Sequence, residues 1–285
     1  MANRKTSRRA SSIIREDEAL KLRGLQSVAG YAVIAKDGEV GTVEEFLFDD
    51  REWAVRFIVV GTGDWLPGRK ILLSPAVLEE PDWELPKLHI TIERAQLEKG
   101  PLLGAHELVS RMFQIGLYKH FGWFPYWLEE EYFNVPPHPS EVSSGMSRDR
   151  ERADDPHLLS TAEAAEYRVE ALNGDIGHPE DFVMDEDDWI IYYFAVALDR
   201  REDVPEEETT KSVLIATEWI KNTAKDAGRV YLELDRDAVL RSPAYDPAIP
   251  VDREYELELY DHYGRPRYWD QGGDTEEEED TRFSS

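Results

Sequence analysis

The sequence contains no cysteine among its 285 residues, which excludes disulfide bonds, thiolate metal ligands and cysteine nucleophiles. It also lacks any apolar run of about 18 residues, so it predicts no membrane-spanning helix. The N-terminus is basic but has no apolar segment of the kind that a signal peptide requires. We therefore expect a cytoplasmic protein that does not insert into a membrane.

Positive charge is scarce in this chain. Lysine and arginine total 33 against 60 aspartates and glutamates, which gives a formal net charge of −27. Such a surface repels nucleic-acid phosphates and anionic membranes, so we expect no direct binding to nucleic acid. The charge has two explanations that stay open here: it serves solubility alone, or it attracts a basic protein partner.

The chain repeats itself at long range. The segment Asp37–Gly41 returns 136 residues later as Asn173–Gly177, and Leu117–Gly122 returns 142 residues later as Leu259–Gly264. The change in spacing indicates six extra residues in the second copy, which we place in the loop 197–210. A period this long is typical of a duplicated domain rather than of a solenoid.

Composition divides the chain further. Proline, serine and mixed charges mark a linker between the copies, and a run of acidic residues follows the second copy. The predicted order is a basic-to-acidic tail at 1–24, a first repeat at 25–133, a linker at 134–158, a second repeat at 159–269 and an acidic tail at 270–285.

The front of each repeat predicts β-structure. Short segments rich in β-branched and aromatic residues alternate with polar turns, a pattern typical of a small barrel or sandwich. The predicted strands are Tyr31–Ala35, Val43–Phe48, Trp53–Val60, Ile71–Leu73 and Leu88–Ile92, followed in the second repeat by Arg168–Leu172, Asp181–Met184, Trp189–Val196, Val213–Ile215 and Val230–Leu234.

The end of each repeat predicts a helix. Apolar residues recur every four positions in both copies, behind a good N-cap residue and ahead of a glycine. Alternation in Tyr255–Leu259 is also compatible with a strand, but Gly116 breaks that alternation in the first copy. The apolar positions are Val109, Phe113, Leu117 and Phe121, then Val251, Tyr255, Leu259 and Tyr263; the caps are Ser110 and Asp252, and the glycines Gly122 and Gly264.

Three segments of the first repeat, Asp37–Gly41, Trp53–Val60 and Trp65–Pro75, resemble the PRC-barrel family. That family includes the cytoplasmic domain of the photosynthetic reaction centre H subunit and a domain of a ribosome maturation factor. The resemblance covers most of 28–98 and, more loosely, 164–240. It implies two tandem small β-barrels, each followed by a C-terminal helix, that bind other proteins or support a membrane complex. It implies no shared catalytic residue.

The histidines provide the first candidate chemistry. His120 and His262 are equivalent in the two repeats, which suggests either a paired metal or acid–base site or two locally hydrogen-bonded side chains near helix ends. The remaining histidines have no metal-ligand spacing. The acidic cluster Asp185–Asp188 lacks the pattern of a calcium loop and predicts a polar hairpin turn. We expect no catalytic residue, metal or cofactor.

The richest aromatic segment follows the first helix and contains Trp123, Phe124, Tyr126 and Trp127. Trp123 and Phe124 correspond to Arg265 and Pro266 in the second repeat. Aromatic side chains supply much of the energy of protein interfaces, so these four residues are candidates for partner binding. The alternative is that they pack within the protein.

These observations favour a non-catalytic adaptor protein that is associated with assembly or stress and whose acidic flanks suit basic protein partners. One alternative is an auxiliary component of a photosynthetic or electron-transfer complex at a membrane, similar to the H subunit. Others are a ribosome-assembly factor and an enzyme built on the barrel cleft. We also expect the repeats to pack as a pseudo-dimer, which small-angle scattering tests.

Overall fold

The structure is a computed structural model that describes residues 21–104, 109–128, 157–199 and 211–270. The predicted tails at 1–24 and 270–285 and the predicted linker at 134–158 lie mostly outside the described residues, but Leu22–Gly24, predicted as part of a tail, forms a strand. The chain divides into two compact units. The N-terminal unit comprises Leu25–Ala164, and the C-terminal unit comprises Ala165–Ser285 together with Met1–Gly24.

The N-terminal unit contains a seven-stranded sheet in the order β6-β2-β3-β4-β5-β7, with β8 paired to β3. The long strand β3 pairs with β2 along its first half and with β8 along its last three residues. The strands are β2 (Ala32–Ala35), β3 (Gly38–Asp49), β4 (Ala54–Gly61), β5 (Arg69–Leu73), β6 (Lys87–His89), β7 (Leu103–Gly104) and β8 (Leu158–Ser160).

The C-terminal unit repeats this plan in the order β12-β11-β10-β9-β14-β13, with β1 paired to β10. In both units one pair of strands is parallel, β2 with β6 and β9 with β14, and the other pairs are antiparallel. The strands are β1 (Leu22–Gly24), β9 (Arg168–Ala171), β10 (Gly174–Asp185), β11 (Ile191–Leu198), β12 (Ser212–Ala216), β13 (Ile220–Ala224) and β14 (Arg229–Leu232).

The predicted class, mainly β with added helices, is confirmed. Within the described ranges, hydrogen bonds connect each sheet as an open series of strands and do not close it into a ring. All ten predicted strand segments overlap a strand of the sheets, and several are longer than predicted. For example, the segment predicted as Asp181–Met184 is the end of the 12-residue strand β10.

Four strands were not indicated by any sequence pattern. Besides β7 and β13, two such strands lie ahead of a repeat in sequence. These are β1, which immediately precedes the N-terminal unit, and β8, which immediately precedes the second repeat. Leu22 lies opposite Asp185 in the C-terminal unit, whereas Leu158 lies opposite Asp49 in the N-terminal unit. Each sheet is therefore completed by the strand that precedes the other repeat in sequence.

The helices are short except for one at the end of each repeat. The predicted helices are confirmed as Arg111–Phe121 and Arg253–Tyr263, and the strand alternative for Tyr255–Leu259 is wrong. No helix in the described residues is long and apolar enough to cross a membrane. The α-helices are α1 (Arg94–Glu98), α2 (Arg111–Phe121), α3 (Thr161–Ala165), α4 (Arg236–Leu240) and α5 (Arg253–Tyr263).

Close approach of strands explains the repeated glycine in the motifs that revealed the duplication. A Cβ atom at Gly41 would overlap the carbonyl oxygen of Gly61 on β4, and one at Gly177 would overlap that of Ala197 on β11. The obstructing atoms belong to the backbone, so a side chain could be accepted only if the strands moved apart. The repeated glycine is therefore a requirement of sheet packing.

Candidate functional site

The aromatic segment follows α2, where Gly122 adopts a left-handed conformation and ends the helix. The amide of Trp123 then donates to the carbonyl oxygen of Tyr118 at 2.9 Å. This bond turns the chain back along the helix that it has just left. The next residues, Tyr126–Leu128, form a single 3-10 turn.

Two of the four candidate residues, Tyr126 and Trp127, are held by α2. The Tyr126 hydroxyl donates to Oε1 of Gln114 at 3.1 Å, and both side chains are buried. The guanidinium of Arg111 lies 4.3 Å from the ring centroid of Trp127, a cation–π contact. Tyr126 also belongs to the hydrophobic core of the N-terminal unit. These two aromatic residues thus attach the segment to its own helix.

Trp123 and Phe124 are placed differently. The Trp123 ring stacks on Phe121 at 4.5 Å between centroids and meets the Tyr118 ring edge-on at 5.8 Å. Phe124 is 55% exposed, an uncommon exposure for a phenylalanine. The structure therefore brings Trp123, Tyr126 and Trp127 together on the core, whereas Phe124 is the most exposed of the four.

The second repeat has a polar network that corresponds to Arg111, Gln114 and Tyr126 of the first repeat but contains a carboxylate. Glu256 replaces Gln114 on the equivalent helix and is 2% exposed. Its Oε1 accepts hydrogen bonds from the hydroxyls of Tyr193 at 2.7 Å and Tyr268 at 2.9 Å, and its Oε2 lies 3.0 Å from Nη1 of Arg253. In the first repeat the position of Tyr193 is occupied by Phe57, which has no hydroxyl to donate.

Burial dominates the electrostatics of this network. Desolvation raises the pKa of Glu256 above its ordinary value, although hydrogen bonding from Tyr193 and the charge of Arg253 act in the opposite direction. Desolvation also raises the pKa of Tyr193. With its partners already satisfied and its surface covered, Glu256 holds the end of the repeat together and is not accessible to a substrate.

The repeat-equivalent histidines occupy matching positions in the two units. Nε2 of His120 lies 3.1 Å from the carbonyl oxygen of Gln96, and Nε2 of His262 lies 2.8 Å from that of Ala238. Because a carbonyl oxygen only accepts, Nε2 carries the proton in both rings. Each histidine therefore joins the C-terminal helix of its repeat to the preceding short helix, which accords with the local hydrogen-bonding alternative.

Acidic residues in the hairpin turns have a structural role. Asp185 is fully buried, and its Oδ1 accepts the amides of Asp187 at 3.0 Å and Asp188 at 3.3 Å. Asp49 accepts the equivalent amide of Arg51 at 2.9 Å. No group of three or more histidine, aspartate or glutamate side chains is arranged to hold a metal ion among the residues that the structure describes.

Sequence reasoning missed Gln114, Glu256 and the residues that surround them. Their signal was present in the repeat, because Arg111, Tyr126 and Trp127 are matched by Arg253, Tyr268 and Trp269. A recurring arginine, tyrosine and tryptophan at fixed spacing indicates mutual contact when both copies keep it. Aligning the two repeats also shows that glutamate in the second corresponds to glutamine in the first. Its structural importance becomes clear only once both side chains are known to be buried.

Comparison of the sequence with protein-family models and with curated proteins finds no match.

Proposed function

We propose that this chain is a non-catalytic protein-interaction protein, an adaptor built from two PRC-barrel-like repeats, and that its N-terminal unit contacts a protein partner through Phe124. The single observation that carries the proposal is the exposure of this phenylalanine beside Trp123, at two positions that are aromatic only in the first repeat. Phe124 corresponds to a proline in the second repeat, so the common fold does not require an aromatic residue there.

The surroundings of Phe124 support a binding role. Its neighbours Trp123 and Tyr126 are fixed by ring contacts and a hydrogen bond to the core, so the backbone on both sides is attached to a rigid element. Presenting an aromatic side chain from a fixed backbone reduces the conformational entropy lost on binding. Interface hot spots are enriched in such aromatic anchors.

The test is crosslinking and affinity purification from native lysate with the full-length chain and a Phe124→Ser variant. Leu172→Ser is the matched control, because Leu172 is 67% exposed in the C-terminal unit and its loss removes a comparable apolar surface. We expect the wild-type chain and the Leu172 variant to recover the same partner and the Phe124 variant to lose it. Equal recovery by all three chains would rule out Phe124 as the contact.

A fourth chain, trimmed to residues 21–270, separates the folded units from the charged tails. The trim begins at Lys21 because Leu22–Gly24 is a strand of the C-terminal unit. Recovery of the partner by this chain would assign binding to the folded units. Recovery by the full-length chain alone would assign it to the tails and contradict the proposal.

A further inference from the structure

The edge of β10 in the C-terminal unit forms hydrogen bonds with the backbone of the segment that pairs with it. Oδ2 of Asp185 accepts the amide of Lys21 at 3.0 Å, and the amide of Glu186 donates to the carbonyl oxygen of Lys21 at 2.9 Å. Asp185 is fully buried, and the amide of Lys21 helps to offset its lost hydration. An extended peptide at this edge therefore supplies a donor to a buried carboxylate.

The same edge also contacts the side chains of the paired segment. Nε of Arg23 donates to Oε1 of Glu186 at 2.6 Å, and both side chains are largely covered. One residue further on, a Cβ atom at Gly24 would overlap the carboxylate of Asp181. An arginine followed by a glycine thus meets two separate conditions at this edge.

Strand β1, which occupies this edge, is held there by a short pairing. Strand β1 is three residues long, all three residues are half-buried, and its pairing with β10 covers Leu22–Gly24 alone. The next residue, Leu25, already belongs to the N-terminal unit. A strand this short loses little apolar contact when it leaves, since contact area sets much of the energy.

The equivalent edge of the N-terminal unit contacts a histidine where the β10 edge contacts an arginine. There the occupant is β8, and Nδ1 of His157 lies 2.9 Å from Oδ1 of Asp50, the residue that corresponds to Glu186. The amide of Asp50 donates to the carbonyl oxygen of His157 at 3.0 Å, which matches the backbone bond made by Glu186. Two copies of one backbone site have therefore acquired different side-chain preferences.

We propose that the β10 edge at Val183–Glu186 is a peptide-binding site for an extended, basic segment of a protein partner in which arginine precedes glycine. The partner segment displaces β1 and takes over its backbone hydrogen bonds, a form of β-strand addition. Charge supports a basic partner, because Glu186 is followed by Asp187 and Asp188 and the whole chain carries −27. The site lies in the C-terminal unit and does not involve Phe124.

The test uses a fluorescent peptide with the sequence of residues 18–27, Glu-Ala-Leu-Lys-Leu-Arg-Gly-Leu-Gln-Ser, as the probe. The acceptor is the full-length chain with Gly24→Val, in which the added side chain overlaps Asp181 and expels the chain's own β1. We expect saturable binding by fluorescence anisotropy to this variant. Wild type should bind at least about tenfold more weakly, since its linked strand competes at high effective concentration.

A charge exchange distinguishes this site from non-specific attraction of a basic peptide. The probe with glutamate in place of Arg23 should lose about tenfold in affinity for the Gly24→Val chain. Adding Glu186→Lys to that chain should reverse the order, so that the glutamate probe binds better than the arginine probe. Equal affinity of both probes for both acceptors would overturn the proposal.

A second variant keeps the test valid if Gly24→Val does not fold. Full-length Arg23→Glu keeps Gly24 and weakens β1 only through repulsion from Glu186, so it should also bind the arginine probe better than wild type does. Absence of probe binding to both variants, each with wild-type circular dichroism, would overturn the proposal. Wild type could instead dimerise in a concentration-dependent manner by exchanging β1 between two chains. That result would assign the edge to a second copy and would also contradict the proposal.

Discussion

At the scale of single residues, the two repeats solve the same packing problem with different electrostatics. Gln114 and Glu256 are both buried at the same place on the last helix, and both accept a tyrosine hydroxyl. Each is also contacted by an arginine of its own helix, Arg111 or Arg253, but only the glutamate accepts a second tyrosine hydroxyl, that of Tyr193. The additional donor suits a buried carboxylate, because its desolvation is more unfavourable than that of an amide.

Replacing Glu256 with glutamine, the residue of the first repeat, should alter how stability depends on pH. Burial raises the pKa of Glu256 above its ordinary value of 4.5, so the folded protein binds this proton more tightly than the unfolded chain does. The carboxyl group therefore stabilises the fold progressively as pH falls from above the raised pKa toward about 4.5. Glu256→Gln should remove that part of the dependence.

The measurement is urea unfolding of wild type and Glu256→Gln from pH 8 to about pH 4.5, followed by tryptophan fluorescence. The free energy of unfolding of wild type relative to the variant should rise as the pH is lowered. Glu258→Gln is the control, because it makes the same chemical change at an exposed position of the same helix. A difference between wild type and Glu256→Gln that is constant over this range would contradict the prediction.

At the scale of elements, the last helix of each repeat begins and ends through local contacts. Oδ1 of Asp252 accepts the amide of Tyr255 at 2.9 Å, and the hydroxyl of Ser110 accepts the equivalent amide of Phe113 at 3.2 Å. Gly122 and Gly264 end the two helices in left-handed conformations. Because capping bonds connect neighbours in sequence, the sequence alone was sufficient to predict them.

Asp252→Ala should lower the free energy of unfolding of the C-terminal unit by about 1 kcal/mol, since the amide of Tyr255 loses its acceptor. Asp252→Asn should retain most of the stability, because asparagine is nearly as good an N-cap. Thermal unfolding followed by circular dichroism measures both variants. If alanine and asparagine reduce stability equally, the charge at the helix N-terminus rather than the capping bond is the stabilising contact.

At the scale of the whole molecule, the folded units do not simply follow one another along the chain. The N-terminal unit is one continuous segment, whereas the C-terminal unit needs residues from both ends of the chain. The reason is that β1 pairs with β10 and not with a strand of the repeat that it precedes. A truncation at the N-terminus therefore acts on the unit that is farther away in sequence.

Deleting residues 1–24 should destabilise the C-terminal unit and leave the N-terminal unit unchanged. Without Lys21 and Arg23, the buried carboxylate of Asp185 loses a donor and Glu186 loses its ion pair. Hydrogen exchange measured by mass spectrometry should show faster exchange in 174–198, while 38–61 keeps its protection. Deleting only residues 1–20 is the control and should affect neither unit. Faster exchange in both units would show that the N-terminal unit also depends on β1.

Much of the fold was predictable because its signals are local. Strands such as Trp53–Val60 are dense in β-branched residues, and the last helices carry both apolar periodicity and caps. The short strands β1 and β8 carry no such signal. A strand of three residues has no measurable alternation, and only its distant partner defines it.

The candidate site was predictable in composition but not in exposure. The sequence identified Trp123, Phe124, Tyr126 and Trp127 together, since aromatic residues are denser there than at the same place in the second repeat. It could not separate Phe124 from the other three, because burial depends on which side of the returning chain faces the core. The Tyr126 hydroxyl and its partner Gln114 are 12 residues apart and meet only when the chain turns at Gly122.

The sequence by itself determined the duplication, the β-rich class, the long final helix of each repeat and the acidic character of the chain, because these depend on composition, periodicity and neighbours. Only the tertiary structure decided which strand completes which sheet, which aromatic residue stays exposed and how Glu256 is satisfied. Those properties arise from contacts between residues far apart in sequence, and their energies depend on burial, which no local pattern encodes.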